Sequence, residues 1–396
     1  MIQISPETQL FIREHSSDDV RTLALQAKKY PDINMPTAIT QIAGRKVAAE
    51  KIPSWWEIEK IWYPKHLSLE QCSSEITARY KARLLQGDSL TDLTGGFGID
   101  CSFLATGFKS ATYVERQEEL CEIAAHNFPV LNLNHINIKN EDGVTYLQAM
   151  SPVDCLFLDP ARRNEHGGKT VAISDCEPNV AELEELLLQK ANRVMIKLSP
   201  MLDLSLALKE LKQTQEVHIL SVNNECKELL ILLGQTSPAE ISIHCVNLFT
   251  KGTQKEQHFV FTREQEQCSE CTYTDSLETY LYEPNASLLK AGAFRSIAAA
   301  YPVRKLHPNS HLYTSDTFIE NFPGRIFRIV NQCSFNKKEV KENLADLKKA
   351  NVTVRNFPAT VAELRKRIHL AEGGDTYLFA STLNNGQKVL IRCEKV

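Results

Sequence analysis

Several absences narrow this 396-residue sequence before any motif does. No apolar run approaches the ~20 residues that a membrane-crossing helix needs. The greasiest stretches, such as Leu229–Leu233, stop far short. The start, MIQISPETQLFIREH, has no basic segment leading into a long apolar run, so a secretory leader is not expected. No fixed-period repeat and no low-complexity tract is present, which excludes solenoids and arrays. Cysteine is plentiful, at eleven, but the number is odd and a chain of this size needs no staples. A disulfide scaffold is therefore excluded, and free thiols in a reducing, cytoplasmic compartment are expected. What remains is an ordinary folded composition, 43% apolar and 24% charged, long enough for two or three domains.

The net charge of −4 conceals an asymmetry. From Asn285 onward there are 18 lysines and arginines against 9 acids, whereas the preceding residues carry 27 against 40. A basic module joined to an acidic body suggests a polyanionic partner for the module. The plainer reading is that segments such as KKEVKENLADLKK are solvated helix faces.

Residues 1–86 read as a helical accessory region. RTLALQAKKY, TAITQIAGRKVAAEKI and SEITARYKARLL carry apolar residues at helical spacing, punctuated by Pro31, Pro36, Pro53 and Pro64. Trp55, Trp56, Trp62 and Tyr63 could stack on a base, but such residues more often join a helical layer to its neighbour. Residues 87–236 change character. The strand candidates SLTDLT, SATYVE, HINIKN, DCLFLDP and RVMIKLSP alternate with helical patterns, which predicts an open, mostly parallel α/β sheet covered on both faces. EVHILSV and KELLILLG lie too close for a crossover, so an antiparallel pair is expected at one edge. Residues 237–280 hold two alternating strands, ISIHCVNLF and QHFVFT, then a polar linker, REQEQCSECTYTDS. Its Cys268 and Cys271 have no further well-spaced ligands, so no structural metal is expected. Residues 281–396 form a second α+β unit. It should open with one helix, NASLLKAGAFRSIAAAY, and close with a hairpin turning tightly at Asn385-Gly386.

The strongest local signal is DLTGGFGID, Asp92 to Asp100, after a strand-like start and before a helix-like stretch. Gly95, Gly96 and Gly98 permit a tight turn and let a ligand lie against bare backbone. Such a turn at the end of the first parallel strand opens onto the usual cofactor crevice. The spacing is not G-x-G-x-x-G, which admits a pyrophosphate to a helix start. Asp92 stands directly before the glycines, and a fixed carboxylate repels pyrophosphate but suits a cationic amino group. S-adenosylmethionine carries one, so the loop matches that cofactor better than NAD. Glu115 ends the next strand, about 20 residues on, where an acid can accept both ribose hydroxyls. Asp142 can accept from an adenine amino group, although Asp142-Gly143 is also a common turn pair.

DCLFLDPARR runs a buried strand into Asp159-Pro160. Pro160 restrains the residue before it to an extended shape, which presents Asp159 rigidly at the strand's carboxyl end. There it can accept an amine hydrogen on a substrate nitrogen. Transfer from a sulfonium needs in-line approach more than a powerful base. Beyond it, Arg162, Arg163 and Lys169 can contact phosphates, and Gly167 and Gly168 let that loop bend over a substrate. His166 reads as incidental. Lys197 either pairs with Asp159 or snorkels to solvent. A cysteine nucleophile would suggest carbon methylation. Cys155 lies early in its strand, and Cys176 and Cys226 have no evident activator, so nitrogen is the favoured acceptor.

Together, DLTGGFGID, VERQEEL, AAHNF and DPARR resemble the class I S-adenosylmethionine-dependent methyltransferases over about residues 88–235. The resemblance implies a Rossmann-like sheet whose glycine loop holds the methionine part of the cofactor. The candidate cofactor set is then Asp92, Thr94, Gly95, Gly96, Gly98, Asp100, Glu115, Arg116, Asp142, Gly143 and Asp159. Asp159, Pro160 and Lys197 are the candidate catalytic residues. Asp159-Pro160-Ala161-Arg162 resembles the Asn/Asp-Pro-Pro-Tyr/Phe motif of amino-methylating members, but lacks the aromatic that stacks on a flat base. YLYEPNASLLKAGAF, SHLYTS, FPGRIFRI, RNFP and GGDTYLF make the whole chain similar to a bacterial group ending in a THUMP-like module. That module implies tRNA or rRNA as the substrate. Methylation of a protein or small molecule, and a non-catalytic RNA-binding role, are the competing classes. The intact glycines and both cofactor acids argue against a decayed pocket.

Overall fold

The computed structural model describes residues 4–162, 172–236 and 238–396. The chain divides into two compact units, Met1–Glu216 with Leu229–Pro238, and Val217–Glu228 with Ala239–Val396. Among the described residues, no helix is long and apolar enough to cross a membrane.

The first unit opens with six helices: α1 (Pro6–Glu14), α2 (Val20–Leu25), α3 (Met35–Lys51), α4 (Pro53–Trp56), α5 (His66–Gln71) and α6 (Glu75–Ala82). Ser5, Asp19 and Asn34 cap three of them by accepting a backbone N–H three residues on. Their apolar stripes feed a core in which Ile52, Trp55, Ile61 and Leu69 meet Phe97, Ile99, Leu120 and Ile123. Trp55 meets the Phe97 ring edge-on at 5.2 Å, and Trp62 stacks on His126 at 3.7 Å. The aromatic stretch thus joins the helical layer to the sheet's own loops and helices.

That sheet contains β1 (Ser89–Asp92), β2 (Ser110–Glu115), β3 (Ile136–Asn140) and β4 (Val153–Leu158). A short antiparallel pair follows, β5 (Ala161–Arg162) with β6 (Cys176–Glu177), and then β7 (Ala191–Leu198). The helices α7 (Ile99–Ala105), α8 (Glu118–Val130), α9 (Gly143–Ala149) and α10 (Val180–Lys190) supply the crossovers, and α11 (Leu204–Glu210) follows β7. β1 to β4 and β7 run parallel. Strands covered on both faces read as continuous apolar runs, as the buried Cys155–Leu158 does. The chain steps outward from β1 to β2 and β3, then returns to the other side of β1 as β4. The strand order therefore reverses beside β1, and a crevice opens at that switch point. Register sets its rim: Asp92 lies opposite Tyr113 and Phe157, which are two residues short of Glu115 and Asp159.

β8 (Thr214–Val222) and β9 (Glu225–Gly234) are divided between the units. Leu229–Gly234 runs antiparallel to β7. β8 and β9 are neighbours in the strand order, but they lie inside the sheet rather than at the edge the sequence predicts for them. In the second unit, β10 (Ser242–Leu248) pairs antiparallel with β11 (Glu256–Thr262). The expected polar linker is instead helical at α12 (Arg263–Cys268), because Thr262 and Gln265 form a reciprocal capping box. A seven-stranded sheet follows: β12 (Tyr280–Pro284), β13 (Arg304–Lys305), β14 (Tyr313–Ser315), β15 (Gly324–Ser334), β16 (Asn351–Val354), β17 (Thr376–Thr382) and β18 (Lys388–Lys395). Its order is β13-β14-β12-β15-β18-β17-β16. The single helix expected after β12 is two, α13 (Ala286–Ala291) and α14 (Ser296–Ala300). Gly292, at φ 77°, caps the first in the left-handed region and ends it. One sheet face presents Leu378, Ala380 and Leu390 to α15 (Lys337–Leu344) and α16 (Val361–Ile368). The alternate residues Phe379, Val389 and Ile391 face a second core with Leu281 and Phe327. The final hairpin is looser than expected. Leu383 N–H donates to the Gln387 carbonyl at 3.0 Å, and Gly386, at φ 85°, is its left-handed residue.

Candidate active site

The glycine loop leaves β1 after Asp92, whose side chain is completely buried. Asp92 Oδ1 accepts the Thr94 N–H at 2.9 Å, while Oδ2 has no hydrogen-bond partner among the described residues. Burial pushes the Asp92 pKa up to about 8, opposed by its backbone hydrogen bond. Gly96 takes φ 53° and Gly98 φ 86°, which only glycine adopts without strain. A side chain on Gly96 would meet nothing closer than the Thr94 carbonyl, so its backbone faces open space. Gly95 is needed for a different reason from ligand access: a Cβ there would lie 2.2 Å from the Tyr113 ring. Tyr113 in turn donates its hydroxyl to the Gly96 carbonyl at 2.5 Å and braces the loop from beneath.

Glu115 holds the other side of that loop. Its Oε2 accepts the Gly96 N–H at 2.9 Å and its Oε1 the Gln117 N–H at 2.8 Å. A carboxylate offers about four lone-pair sites, so both oxygens retain acceptor capacity. Asp142 caps α9, with Oδ1 accepting from Val144 and Thr145, both at 3.0 Å. Gly143 lies so close to the Leu93 carbonyl that a Cβ would sit 2.2 Å from it. The Asp-Gly pair is a turn as well as a candidate site, and its glycine seats it against the loop leaving β1.

Asp159 is anchored by its backbone, whose N–H donates to Thr94 Oγ1 at 2.6 Å. Thr94 therefore ties the ends of β1 and β4 together. The Asp159 side chain is 36% exposed, and its Oδ2 pairs with Lys197 Nζ at 2.5 Å. Of the two readings open for Lys197, the structure has the pair: the residue is buried rather than snorkelling. Desolvation raises the Asp159 pKa, against the pull of the Lys197 ammonium. Asp100, in the first turn of α7, is also buried. Its Oδ2 accepts from Lys197 at 3.2 Å and its Oδ1 pairs with Lys81 at 2.7 Å. The two ammoniums and the Ser73 hydroxyl hold the Asp100 carboxyl well below the usual range despite its burial. Cys155 is buried and Cys226 partly so; desolvation pushes each thiol up to about 11, which disfavours the thiolate at neutral pH.

The structure brings Asp92, Thr94, Gly95, Gly96, Gly98, Glu115 and Asp159 to one rim, with Asp142-Gly143 at the end of β3. Arg116 points outward, 63% exposed, towards Glu177 at 3.4 Å. Arg162 lies in β5, opposite Cys176. Arg163 and Lys169, with His166, Gly167 and Gly168, lie outside the described residues. Sequence reasoning missed Ser73, Lys81 and Tyr113. Lys81 is fully buried on α6, yet in SEITARYKARLL it reads as one more solvated lysine. A hollow of about 240 Å³, lined by Ser89, Val153 and Ala191 among others, sits at the opposite, amino-terminal ends of the strands and shares none of these groups.

The switch-point sheet, the glycine loop and the acids around it define a Rossmann-like methyltransferase fold. Residues 280–323 match a ferredoxin-like domain model, and residues 324–395 match a THUMP domain-like model. No curated protein matches the sequence. The crystal structure of a candidate methyltransferase from Porphyromonas gingivalis W83 is 34% identical over 100% of both chains, with a TM-score of 0.87. The chain belongs to that family, class I methyltransferases with a C-terminal THUMP-like domain. An rRNA methylase from Streptococcus thermophilus is 14% identical over 40% of this chain and 93% of its own, at a TM-score of 0.29. A candidate methyltransferase from Streptococcus mutans, in complex with SAH, is 13% identical over 40% and 96%, at a TM-score of 0.30. At such TM-scores neither likeness carries functional weight.

Proposed function

We propose that this chain uses S-adenosylmethionine to methylate a nitrogen of a tRNA or rRNA nucleotide in the cytoplasm. The observation that carries the reading is the shared rim of Gly96, Glu115 and Asp159 at the carboxyl ends of β1, β2 and β4, above the partnerless carboxyl oxygen of Asp92. A buried acid with one oxygen that has no donor among the described residues, under an open glycine backbone, fits a nucleoside bearing an ammonium and a sulfonium. The spare lone pairs of Glu115 would take the ribose hydroxyls. Asp142 would take the adenine amino group, and the loop from Asp92 to Gly98, with Thr94, the methionine part. When bound, the cofactor supplies an electrophilic methyl group on a positively charged sulfur.

The chain's own residues do the positioning. Asp159 accepts a hydrogen bond from the target amine and so points the nitrogen lone pair along one line. Pro160 keeps that carboxylate extended, and the Lys197 ammonium opposes the desolvation that raises its pKa, so that it can receive the proton the methylated amine sheds. The raised thiols of Cys155 and Cys226 favour nitrogen over carbon. Lys337, Lys338, Lys341, Lys348, Lys349, Lys366 and Arg367 are exposed on and beside α15 and α16, as a phosphate-binding face requires. Arg162, Arg163 and Lys169 are the candidate substrate contacts that the sequence offers.

The test is to incubate the enzyme with methyl-labelled cofactor and RNA from cells lacking its gene, then map the labelled nucleoside. The expected product is an N-methylated base. Label appearing in protein or small molecules and not in RNA would replace the substrate class.

A further inference from the structure

The amino-terminal helices read as an accessory layer, yet they deliver two side chains into the ionic cluster beside Asp159. Ser73 precedes α6 and Lys81 lies within it. Ser73 Oγ donates to Asp100 Oδ2 at 2.7 Å and accepts from Lys81 Nζ at 2.7 Å and Lys197 Nζ at 2.9 Å. Lys81 Nζ reaches Asp100 Oδ1 at 2.7 Å. Lys197 Nζ has three hydrogens, and among the described residues three acceptors lie within reach of it: Ser73 Oγ, Asp100 Oδ2 and Asp159 Oδ2. An ammonium whose donors all have fixed partners has one orientation. The carboxylate that it holds in turn has one as well.

We propose that Ser73 and Lys81 are positioning residues for Asp159, acting through Asp100 and Lys197, so that the helical layer completes the acceptor side of the site. Four charges alternate in sign along the chain Lys81, Asp100, Lys197, Asp159. Lys81 satisfies Asp100 from one side, so that Lys197 is shared between Asp100 at 3.2 Å and Asp159 at 2.5 Å. Without Lys81, Asp100 draws the Lys197 ammonium to itself and Asp159 loses its counter-charge. A purely structural cluster would need only overall neutrality. This one places its single partly exposed member, Asp159, at the crevice, while Lys81 is wholly covered and Asp100 and Lys197 nearly so. Buried charges at short range act with little screening, so the effect passes along the chain. Among the described residues, the groups facing Asp159 are Lys197, Asp100, Lys81 and Asp92.

The inference rests on Asp159 being the acceptor-side group, but its test does not need turnover. In the full chain carrying carboxyl-labelled aspartate, the Asp159 NMR resonance is assigned by its loss in Asp159→Asn and followed against pH. Lys81→Met should raise the Asp159 midpoint by about one pH unit, and Ser73→Ala by less, in the same direction. Methyl transfer to RNA from cells lacking the gene should fall in both variants, its acid limb moving up with the midpoint, while cofactor affinity measured by calorimetry stays put. An unchanged Asp159 midpoint in folded Lys81→Met overturns the inference. If Lys81→Met does not fold, Ser73→Ala decides it by the same reading. If the Asp159 midpoint shifts as described in the variants but the wild-type chain transfers no methyl group, the proposed activity is overturned instead.

Discussion

The two units handle charge in opposite ways. At the carboxyl ends of β1 and β4, Lys81, Asp92, Asp100 and Lys197 are buried within one cluster. On the α15–α16 layer, the lysines stand in solvent around an apolar seam of Leu344, Leu364 and Leu370. Buried charges are few, coupled and geometrically fixed, and removing one leaves its partner stranded. Exposed charges are many, nearly independent and screened by salt. The first arrangement suits orientation of a reacting group, and the second suits capture of a polyanion. In the second unit the buried Glu283 accepts from Arg325 and from Arg355 at 3.1 Å, both partly exposed, which links its two family-model matches.

That contrast can be broken in graded steps. The largest effect should come from Asp159→Asn, which keeps the shape but removes the proton acceptor. Methyl transfer should fall on the order of 10²-fold or more. Next, Trp55→Ala should cost roughly 3–5 kcal/mol in denaturant unfolding, because it empties the seam between the helical layer and Phe97. Gly95→Ala should cost roughly 1–3 kcal/mol and loosen cofactor binding, since its methyl meets the Tyr113 ring. An unperturbed Gly95→Ala would mean that Tyr113 does not brace the loop.

A subtler effect is expected from pH. The folded pKa of Asp92, about 8, stands above its unfolded value, so the folded chain holds the extra proton between the two. Its contribution to stability is full below the unfolded value and is lost as pH rises through 8. Asp92→Asn should therefore flatten the fall in stability between pH 5 and 8. A cationic cofactor favours the ionised form, so wild-type affinity for S-adenosylmethionine should strengthen over the same interval and that of the variant should not. The smallest effects belong to the exposed layer. Lys337→Ala, Lys338→Ala and Lys341→Ala should each weaken RNA binding modestly and lower the slope of log affinity against log salt by about one unit at most.

How much of this was legible in the sequence depended on whether a residue's neighbours are local. Asp92, Gly96, Glu115 and Asp159 were readable because each sits at a strand end, where short-range pattern and topology together fix position. The two short helices around Gly292 were not separated, since Gly-Ala-Phe interrupts an otherwise helical pattern by one left-handed residue. The helix Arg263–Cys268 hid in a polar stretch although its capping box, Thr262 with Gln265, is a sequence signal. Ser73 and Lys81 left no trace, because their partners Asp100 and Lys197 lie 19 to 124 residues away and only tertiary packing buries them. For Gly95 the sequence suggests ligand access, whereas the Tyr113 ring beneath it is what excludes a side chain.

The pocket itself can be tested without knowing the acceptor. Calorimetric titration of the full chain with S-adenosylmethionine should show one molecule bound per chain, and Gly96→Val, which forces a branched residue into φ 53°, should abolish it. No heat at millimolar cofactor from a folded wild-type chain, or undiminished binding in the Gly96→Val variant, would contradict the glycine loop as the cofactor's seat.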